Sequence, residues 1–290
     1  MIYKQVSCGE ERATIAVVMA CYNRREKTLR ALRSLQRQSA DRINLRFVIL
    51  DDASTDGTAE AVRRLYPDTI IVKGTGSLFW GGGMHLAMKR AIELSPDFLL
   101  MMNDDCELFE GAIDTALADY QAVRSETDDE GHVVVGAMIA PGTGELTYSG
   151  FRRVSRWRPS KLERVVPVGA PKPADTMNGN FVLVPEAVYR ALGPVDKVFV
   201  HQLGDIDYGY RATAFGFRIW IARKALGECA ANENHRARLR GLSLHERWKR
   251  LNSPLGLPFR PWLSFMWRHG GVLGLLQLPI VYVRYIQRQS

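Results

Sequence analysis

Apolar runs alternate with helix-patterned segments over the first hundred residues, and each run ends in polar or glycine-rich residues; no other feature limits the fold as much. Thr14–Ala20 (TIAVVMA) is short and continuously apolar, as a strand buried on both faces requires. Glu26–Gln38 follows, with Leu29, Leu32 and Leu35 at helical spacing. The rhythm repeats as strand Arg46–Leu50 and helix Thr58–Leu65, with Asp56 or Thr58 as cap. It continues as strand Thr69–Val72, helix Met84–Leu94 and strand Phe98–Met102. This alternation predicts an α/β fold with a parallel sheet and helices on both faces. Ligands of such sheets lie outside the carboxyl ends of the strands. Those ends read Cys21-Tyr22-Asn23-Arg24, Asp51-Asp52-Ala53-Ser54-Thr55-Asp56, Gly74–Gly83 and Asn103-Asp104-Asp105, so polar and acidic residues gather where a ligand should lie.

After residue 130 the rhythm changes. His132–Ile139, Phe181–Val184 and Phe217–Ala222 read as strands and Asp205–Phe215 as a helix. Thr143–Pro173 is loop-rich and carries a basic aromatic patch, Phe151-Arg152-Arg153 and Arg156-Trp157-Arg158. No internal repeat is present.

The formal charge of +8 is concentrated at one end. Residues 236–290 hold ten Lys/Arg and one acidic residue, Glu246, whereas the first 235 residues are balanced to within one charge. A basic tail of this kind admits nucleic acid or an anionic membrane surface as partner. In it, Trp262, Phe265, Met266 and Trp267 stand beside Arg260 and Arg268, and the apolar Val272–Val283 is interrupted by Pro279. The uncharged stretch between Arg268 and Arg284 is too short to cross a bilayer as a helix, and the N-terminus lacks signal-peptide order. The expected location is cytoplasmic. The tail is then either peripheral at the inner face of the membrane, or packed on the body or across a dimer interface. Cys8, Cys21, Cys106 and Cys229 contain no C-x-x-C pair, which predicts reduced thiols rather than a zinc site or disulfide framework.

Several motifs each admit two readings. Asn103-Asp104-Asp105 places two carboxylates side by side, which repel unless a cation or a ligand donor offsets them. A hard divalent metal (Mn or Mg) that also bridges two phosphates would do so; the alternative is a cap for a helix over Leu108–Ala118. Asp51 to Gly57 is an Asx-rich turn or an acceptor for a nucleobase N–H or ribose hydroxyl. Gly74-Thr75-Gly76 and Gly81-Gly82-Gly83 form a glycine-rich loop opening a helix, either structural or admitting phosphate to backbone N–H groups. No Gly-Lys-Ser/Thr follows, and Phe79 stands at the third position of a G-x-G-x-x-G pattern, so neither nucleotide fingerprint fits. Asp205 in Gly204-Asp205-Ile206-Asp207 is a helix N-cap or a general base for an acceptor hydroxyl. His235, after Asn232-Glu233-Asn234, is a surface histidine or a metal ligand.

In this order the motifs resemble the family 2 glycosyltransferases, the inverting group with the GT-A fold, from Thr14 to Ala222. V-V-M-A-C-Y-N-R resembles the family's first strand and nucleotide-binding loop, which implies that Ala20 and Tyr22 line the base pocket, with Asn23 and Arg24 in the same site. Val48 to Asp56 resembles the second signature and implies that Asp52 contacts the base. Phe79-Trp80-Gly81-Gly82-Gly83-Met84-His85 resembles the Trp-Gly-rich loop of rhamnosyltransferase-like members, which implies donor contacts from Trp80, Gly82, Gly83 and His85. His85 stands where asparagine is more usual. Met101 to Asp105 resembles the D-x-D region, with Asn103 in place of the first acid, Asp104 beside the donor and Asp105 at the metal ligand. The segment from Asn178 through Gly193-Pro194-Val195-Asp196 to Asp207 resembles the acceptor half, with Arg211 and Gly216 at the expected offsets. There Asp205 matches the catalytic base, and Gly204-Asp205 replaces the usual Glu-Asp.

The resemblance implies a GT-A catalytic domain over residues 1–235, followed by a basic amphipathic extension at 236–290. Within the domain, residues 14–130 would bind the nucleotide sugar and 131–235 the acceptor. The implied reaction moves a hexosyl or deoxyhexosyl group from a nucleotide-diphosphate sugar to a hydroxyl of a glycan or lipid-linked acceptor. It would depend on a divalent metal, invert the anomeric configuration and serve bacterial surface polysaccharide or glycolipid assembly. Nucleic acid is not expected as a partner, and oligomerisation is compatible. Two other classes compete. A sugar-1-phosphate nucleotidylyltransferase needs a glycine-rich loop with a basic residue directly after the first strand, where this chain has Cys-Tyr-Asn-Arg. A non-catalytic nucleotide- or nucleic-acid-binding module has no use for Asp205 and would make the tail its working surface.

Overall fold

The apolar runs become strands because burying them on both faces removes the most apolar surface from water. In the computed structural model, which describes residues 12–38, 42–231 and 243–287, the first half reads β1 (Ala13–Cys21), α1 (Arg25–Gln36), β2 (Ile43–Asp51), α2 (Thr58–Leu65), β3 (Ile70–Lys73), α3 (Phe79–Ile92) and β4 (Phe98–Met102). Then come β5 (Glu107–Leu108), α4 (Ala112–Thr127), β6 (His132–Ile139), β7 (Leu146–Tyr148), β8 (Gly150–Arg153), β9 (Leu162–Arg164), β10 (Lys172–Ala174), β11 (Thr176–Met177) and β12 (Phe181–Pro185). The chain continues as α5 (Glu186–Leu192), α6 (Gly204–Ala214), β13 (Arg218–Glu228), α7 (Leu244–Leu251), α8 (Phe259–Leu275) and α9 (Leu278–Gln287).

The central sheet runs β10-β13-β6-β12-β4-β1-β2-β3, with β5 on β13 and β7 on β6. β1 is parallel to β2 from Ala13↔Ile43 to Cys21↔Asp51, and parallel to β4 from Ile15↔Phe98 to Val18↔Met101. β12 enters antiparallel beside β4, with Phe181 opposite Met102. That reversal carries residues 178–180 to the edge where β1, β2 and β4 end. One face of the sheet packs on Leu29, Leu32 and Leu35 of α1 and on Ile113 and Ala116 of α4. The other packs on Met84, Ala87 and Met88 of α3, on Val188 of α5, and on Tyr208 and Ala212 of α6.

Three expectations shift. α3 begins at Phe79 rather than Met84, so the glycine triplet lies inside the helix. The helix expected over 108–118 occupies 112–127, because Glu107 and Leu108 form β5 on the edge of β13. The loop-rich stretch 143–173 contains four short strands, and β8, β9 and β11 make a small second sheet.

The C-terminal helices fold back on the body. Trp262, Phe265, Met266, Leu251 and Leu278 share a cluster with Phe199, Ile206 and Tyr210. Three of the four residues expected at an interfacial position are therefore core, whereas Trp267 is 57% exposed. α8 breaks at Gly271, whose φ of +58° and ψ of −152° are not helical. Among the described residues, no helix is long and apolar enough to cross a membrane. His235 and Cys8 lie outside the described residues.

Candidate active site

A cleft of about 820 Å³ opens where the carboxyl ends of β1, β2 and β4 meet the start of α6. Ala20, Tyr22, Arg24, Asp52, Trp80, Asn103, Asp104, Asp105 and Asp205 all line it. Residues separated by up to 185 positions in the chain thus face one space.

The acidic run after β4 is compensated from within. Arg24 Nη1 lies 3.0 Å from Asp104 Oδ1 and 2.8 Å from Asp105 Oδ2, and Lys27 Nζ is 3.9 Å from Asp105. The charge compensation expected of a metal is supplied here in part by Arg24. Burial nonetheless pushes the Asp104 carboxyl up to about 6, against the pull of Arg24. Its Oδ2 is buried with no hydrogen-bond partner among the described residues. An orphaned carboxylate oxygen beside a second, more accessible carboxylate is a hard-oxygen donor set that fits a divalent cation. Asp105, with its side chain 17% exposed, is the more reachable of the two. Asn103 takes a different part, because its Oδ1 accepts the Trp80 indole N–H at 2.7 Å.

Asp52 is buried, and its carboxylate accepts four backbone N–H groups: Thr75 (3.1 Å) and Gly76 (2.7 Å) at Oδ1, Leu78 (2.9 Å) and Phe79 (3.1 Å) at Oδ2. A carboxylate has about four acceptor sites, so this side chain is saturated. In this structure the carboxylate expected at the nucleobase lines the cleft and holds the 74–79 loop against it. Gly74 permits the approach, since a Cβ there would stand 2.5 Å from Asp52 Oδ1.

Four other residues expected at the donor, Asn23, Gly82, Gly83 and His85, stand outside the cleft lining in this structure. The N–H groups of Gly81 and Gly82 both donate to Val200 O, at 2.7 and 3.2 Å, and are not available to phosphate. A Cβ on Gly81 would fall 1.8 Å from Phe199 O, and one on Gly83 would fall 2.8 Å from the Ala20 Cβ. The triplet lets α3 pack tightly, and neither Gly82 nor Gly83 lines the cleft. His85 turns away and bonds Val195 O through Nδ1 at 2.7 Å. Asn23 ties two loops together, its Oδ1 accepting from Thr55 N at 2.7 Å and its own N–H donating to Ser54 Oγ at 2.9 Å.

Asp205 sits in the first turn of α6. Its Oδ2 accepts Gly179 N–H at 3.0 Å and its Oδ1 the Ile206 N–H at 2.9 Å. Burial raises its pKa, and those backbone hydrogen bonds oppose the shift. Leu203, just before it, has a φ of +68°, and Phe79 has a φ of +52°. Both line the cleft, and left-handed backbone at such residues costs on the order of 1–3 kcal/mol. They are two of the six non-glycine residues with positive φ among the described residues.

Sequence reasoning missed His201, Gln202, Tyr148 and Leu255, which also line the cleft. Leu255 arrives with the C-terminal segment, where its carbonyl accepts from Gln202 Nε2 at 3.1 Å. No local signal marks any of these four.

Residues 16–171 match the family model described as Glycosyl transferase family 2. Among solved structures, the chain is similar to GalNAc-T7 with UDP, GalNAc and Mn2+, at TM-score 0.55 and 16% identity over 74% of this chain and 43% of that one. It is similar to the mannosyltransferase PcManGT from Pyrobaculum calidifontis in complex with GDP-Man and Mn2+, at TM-score 0.51 and 17% identity over 94% and 76%. It is also similar to S. aureus TarS 1–349, at TM-score 0.53 and 16% identity over 95% and 82%. At these identities the likeness is one of fold, and the chain spans less than half of the GalNAc-T7 chain. No curated protein sequence matches it.

Proposed function

The chain belongs to glycosyl transferase family 2, and from that premise we propose that it moves a hexosyl or deoxyhexosyl group from a nucleotide-diphosphate sugar to an acceptor hydroxyl, with inversion. One observation carries the reading: a single cleft brings the half-buried Asp205 together with Ala20, Tyr22 and the acidic run after β4. The UDP, GDP-Man and Mn2+ named with two of the similar structures support this choice of donor and metal.

In this reading Ala20 and Tyr22 take the base, and Asp52 sets the loop that closes over it. Arg24 lies beside the diphosphate. Asp105, with Asp104 behind it, would hold a Mn or Mg ion, which when bound supplies charge stabilisation to the departing nucleoside diphosphate. Asp205 accepts the proton of the acceptor hydroxyl as that oxygen attacks the anomeric carbon. The new C–O bond forms opposite the breaking bond to phosphate, whose electron pair leaves with the diphosphate. A single displacement of this kind inverts the configuration. Residues 131–235 would seat a glycan or lipid-linked acceptor. The Trp-Gly-rich start of α3 fits a rhamnosyltransferase-like member serving surface polysaccharide or glycolipid assembly.

The C-terminal helices would place the enzyme at the membrane. Val272, Leu273, Leu276, Ile280 and Val283 are exposed on α8 and α9, in a tail whose charge excess is positive. Such a surface suits an anionic bilayer and an acceptor anchored in it.

A donor screen read by mass spectrometry, with and without Mn2+, tests the reaction. Glycosylated acceptor and free nucleoside diphosphate are expected, and Asp105→Asn or a chelator should abolish both. Pyrophosphate as the product would instead establish nucleotidyl transfer.

A further inference from the structure

Cys106 and Cys229 lie far apart in sequence, but β5 and β13 bring them together. β5 pairs with β13 as Leu108↔Gly227 and Glu107↔Glu228. Continued by one residue, that register sets Cys106 opposite Cys229. Phe109 N donates to Leu226 O at 2.9 Å. The alternation of an antiparallel ladder then makes Cys106 and Cys229 a non-hydrogen-bonded pair, the kind whose side chains stand closer. Both thiols are buried. Cys229 Sγ is 3.6 Å from Asp105 Oδ1, and one ligand atom from each of Asp105, Cys106 and Cys229 lies within 4.8 Å of the other two.

We propose that Asp105, Cys106 and Cys229 form a binding site for a thiophilic divalent cation of the zinc or cadmium class. Zinc takes thiolate sulfur at about 2.3 Å and carboxylate oxygen at about 2.0 Å in a tetrahedral shell, which requires an S···O edge of about 3.5 Å. The Cys229–Asp105 separation of 3.6 Å already meets it. Asn180 Nδ2 donates to both sulfurs, at 3.6 Å to Cys106 and 3.4 Å to Cys229, the kind of outer hydrogen bond that orients metal ligands. Asp105 and Asn180 line the cleft while the thiols lie behind them. An ion therefore arrives from the cleft past Asp105, and water from the cleft fills the fourth position. Binding displaces the two thiol protons to solvent and changes no other bond.

Asp105 turns Oδ2 to Arg24 and Oδ1 to Cys229, so a hard cation in the cleft and a soft one at the thiols would compete for the one carboxylate. A soft ion that takes Asp105 would inhibit glycosyl transfer; this consequence, unlike the binding itself, rests on the role given to Asp105 above.

The full-length protein titrated with Cd2+ in excess Mg2+ tests the site, read by thiolate-to-metal charge-transfer absorption. One equivalent should produce the band, Cys106→Ser and Cys229→Ser should remove it, and Cys8→Ser and Cys21→Ser should keep it. X-ray absorption at the zinc edge of the wild-type protein needs no variant to fold, and two sulfur neighbours with lighter oxygen neighbours are expected. Coordination by oxygen and nitrogen alone, or a band that survives in the Cys106→Ser/Cys229→Ser double variant, overturns the site. Sulfur ligation together with transfer indifferent to Mn2+ would support the site and overturn the role of Asp105. Mn2+-dependent transfer without sulfur ligation would overturn the site and leave that role standing.

Discussion

Arg24 meets Asp105 with its Nη1 2.8 Å from Oδ2, so a protein cation stands against the carboxylate proposed to hold the metal. The same nitrogen bonds Asp104, and the guanidinium is close to half exposed. Only the arginine end of the pair is open to solvent, because Asp104 is buried. Arg24 can therefore turn toward an incoming diphosphate at little cost only when another cation takes its place on the two carboxylates.

Replacing that arginine separates its two roles. Arg24→Gln should bind Mn2+ at least about twofold more tightly without nucleotide, because a cation competing for Asp104 and Asp105 is gone. The same variant should bind the nucleoside diphosphate more weakly. Manganese paramagnetic resonance and calorimetry read the two affinities. Unchanged Mn2+ affinity would mean that the metal does not sit on Asp105.

Asp205→Asn keeps shape but removes the proton acceptor, so kcat should fall by about 100-fold or more with donor affinity little changed. In the wild type, burial holds this carboxyl above its ordinary value of 3.8. The base works deprotonated, so the acidic limb of the kcat profile should lie above that value. The linkage has a definite sign. A carboxyl with a raised folded pKa contributes stability that is full below the unfolded pKa and is lost as pH rises through the folded one. The melting temperature of the wild type should therefore fall more steeply with rising pH through that window than that of Asp205→Asn, whose amide does not titrate. A variant that lost donor affinity instead would move Asp205 to the donor site.

Gly81→Ala tests the packing of α3. The added methyl would meet the Phe199 carbonyl, a backbone atom unable to rotate away, and disturb the bond from Gly81 N to Val200 O. A loss of about 3 kcal/mol is expected from thermal or denaturant melts, the upper range for overpacking. A phosphate-binding role for this glycine would instead lower nucleotide affinity with stability intact.

The strand cores and the acidic strand ends were legible because each is a local pattern of three to nine residues. Thr14–Ala20 and His132–Ile139 appear almost as read. The sequence could also bring Asp52 to the site, but not show that the 75–79 backbone saturates it, since that depends on how a loop closes. The glycine triplet is a related case. Glycine there signals close approach, and only the folded chain shows that Gly81 approaches the Phe199 carbonyl and Gly83 the Ala20 side chain. Pairings such as Arg24 with Asp105, or Cys106 with Cys229, need a strand order and register that no local pattern encodes.

The tail illustrates the same limit and leads to the last prediction. Its aromatic cluster divides between a buried set and an exposed set. Trp262, Phe265 and Met266 pack on the body, and Arg268 and His269 bond the fully buried Asp207 at 2.7 and 2.8 Å. Removing residues 258–290 would leave that buried carboxylate with Arg211, 2.9 Å away, in place of three such partners, and would expose the cluster, so truncation reports on folding, not on membrane binding. Substitutions on the outer face avoid the problem. Val272 and Leu276, 63% and 67% exposed, contribute little to the core. Each basic residue near an anionic bilayer contributes about 1 kcal/mol, which with exposed apolar side chains suffices for reversible attachment. The wild-type protein should sediment with anionic but not neutral vesicles, and salt should weaken the association. Val272→Glu/Leu276→Glu should abolish it without lowering the melting temperature. A wild-type protein that ignores both kinds of vesicle would reject the membrane reading and leave the outer face of α8 and α9 as a surface between subunits to be sought by ultracentrifugation.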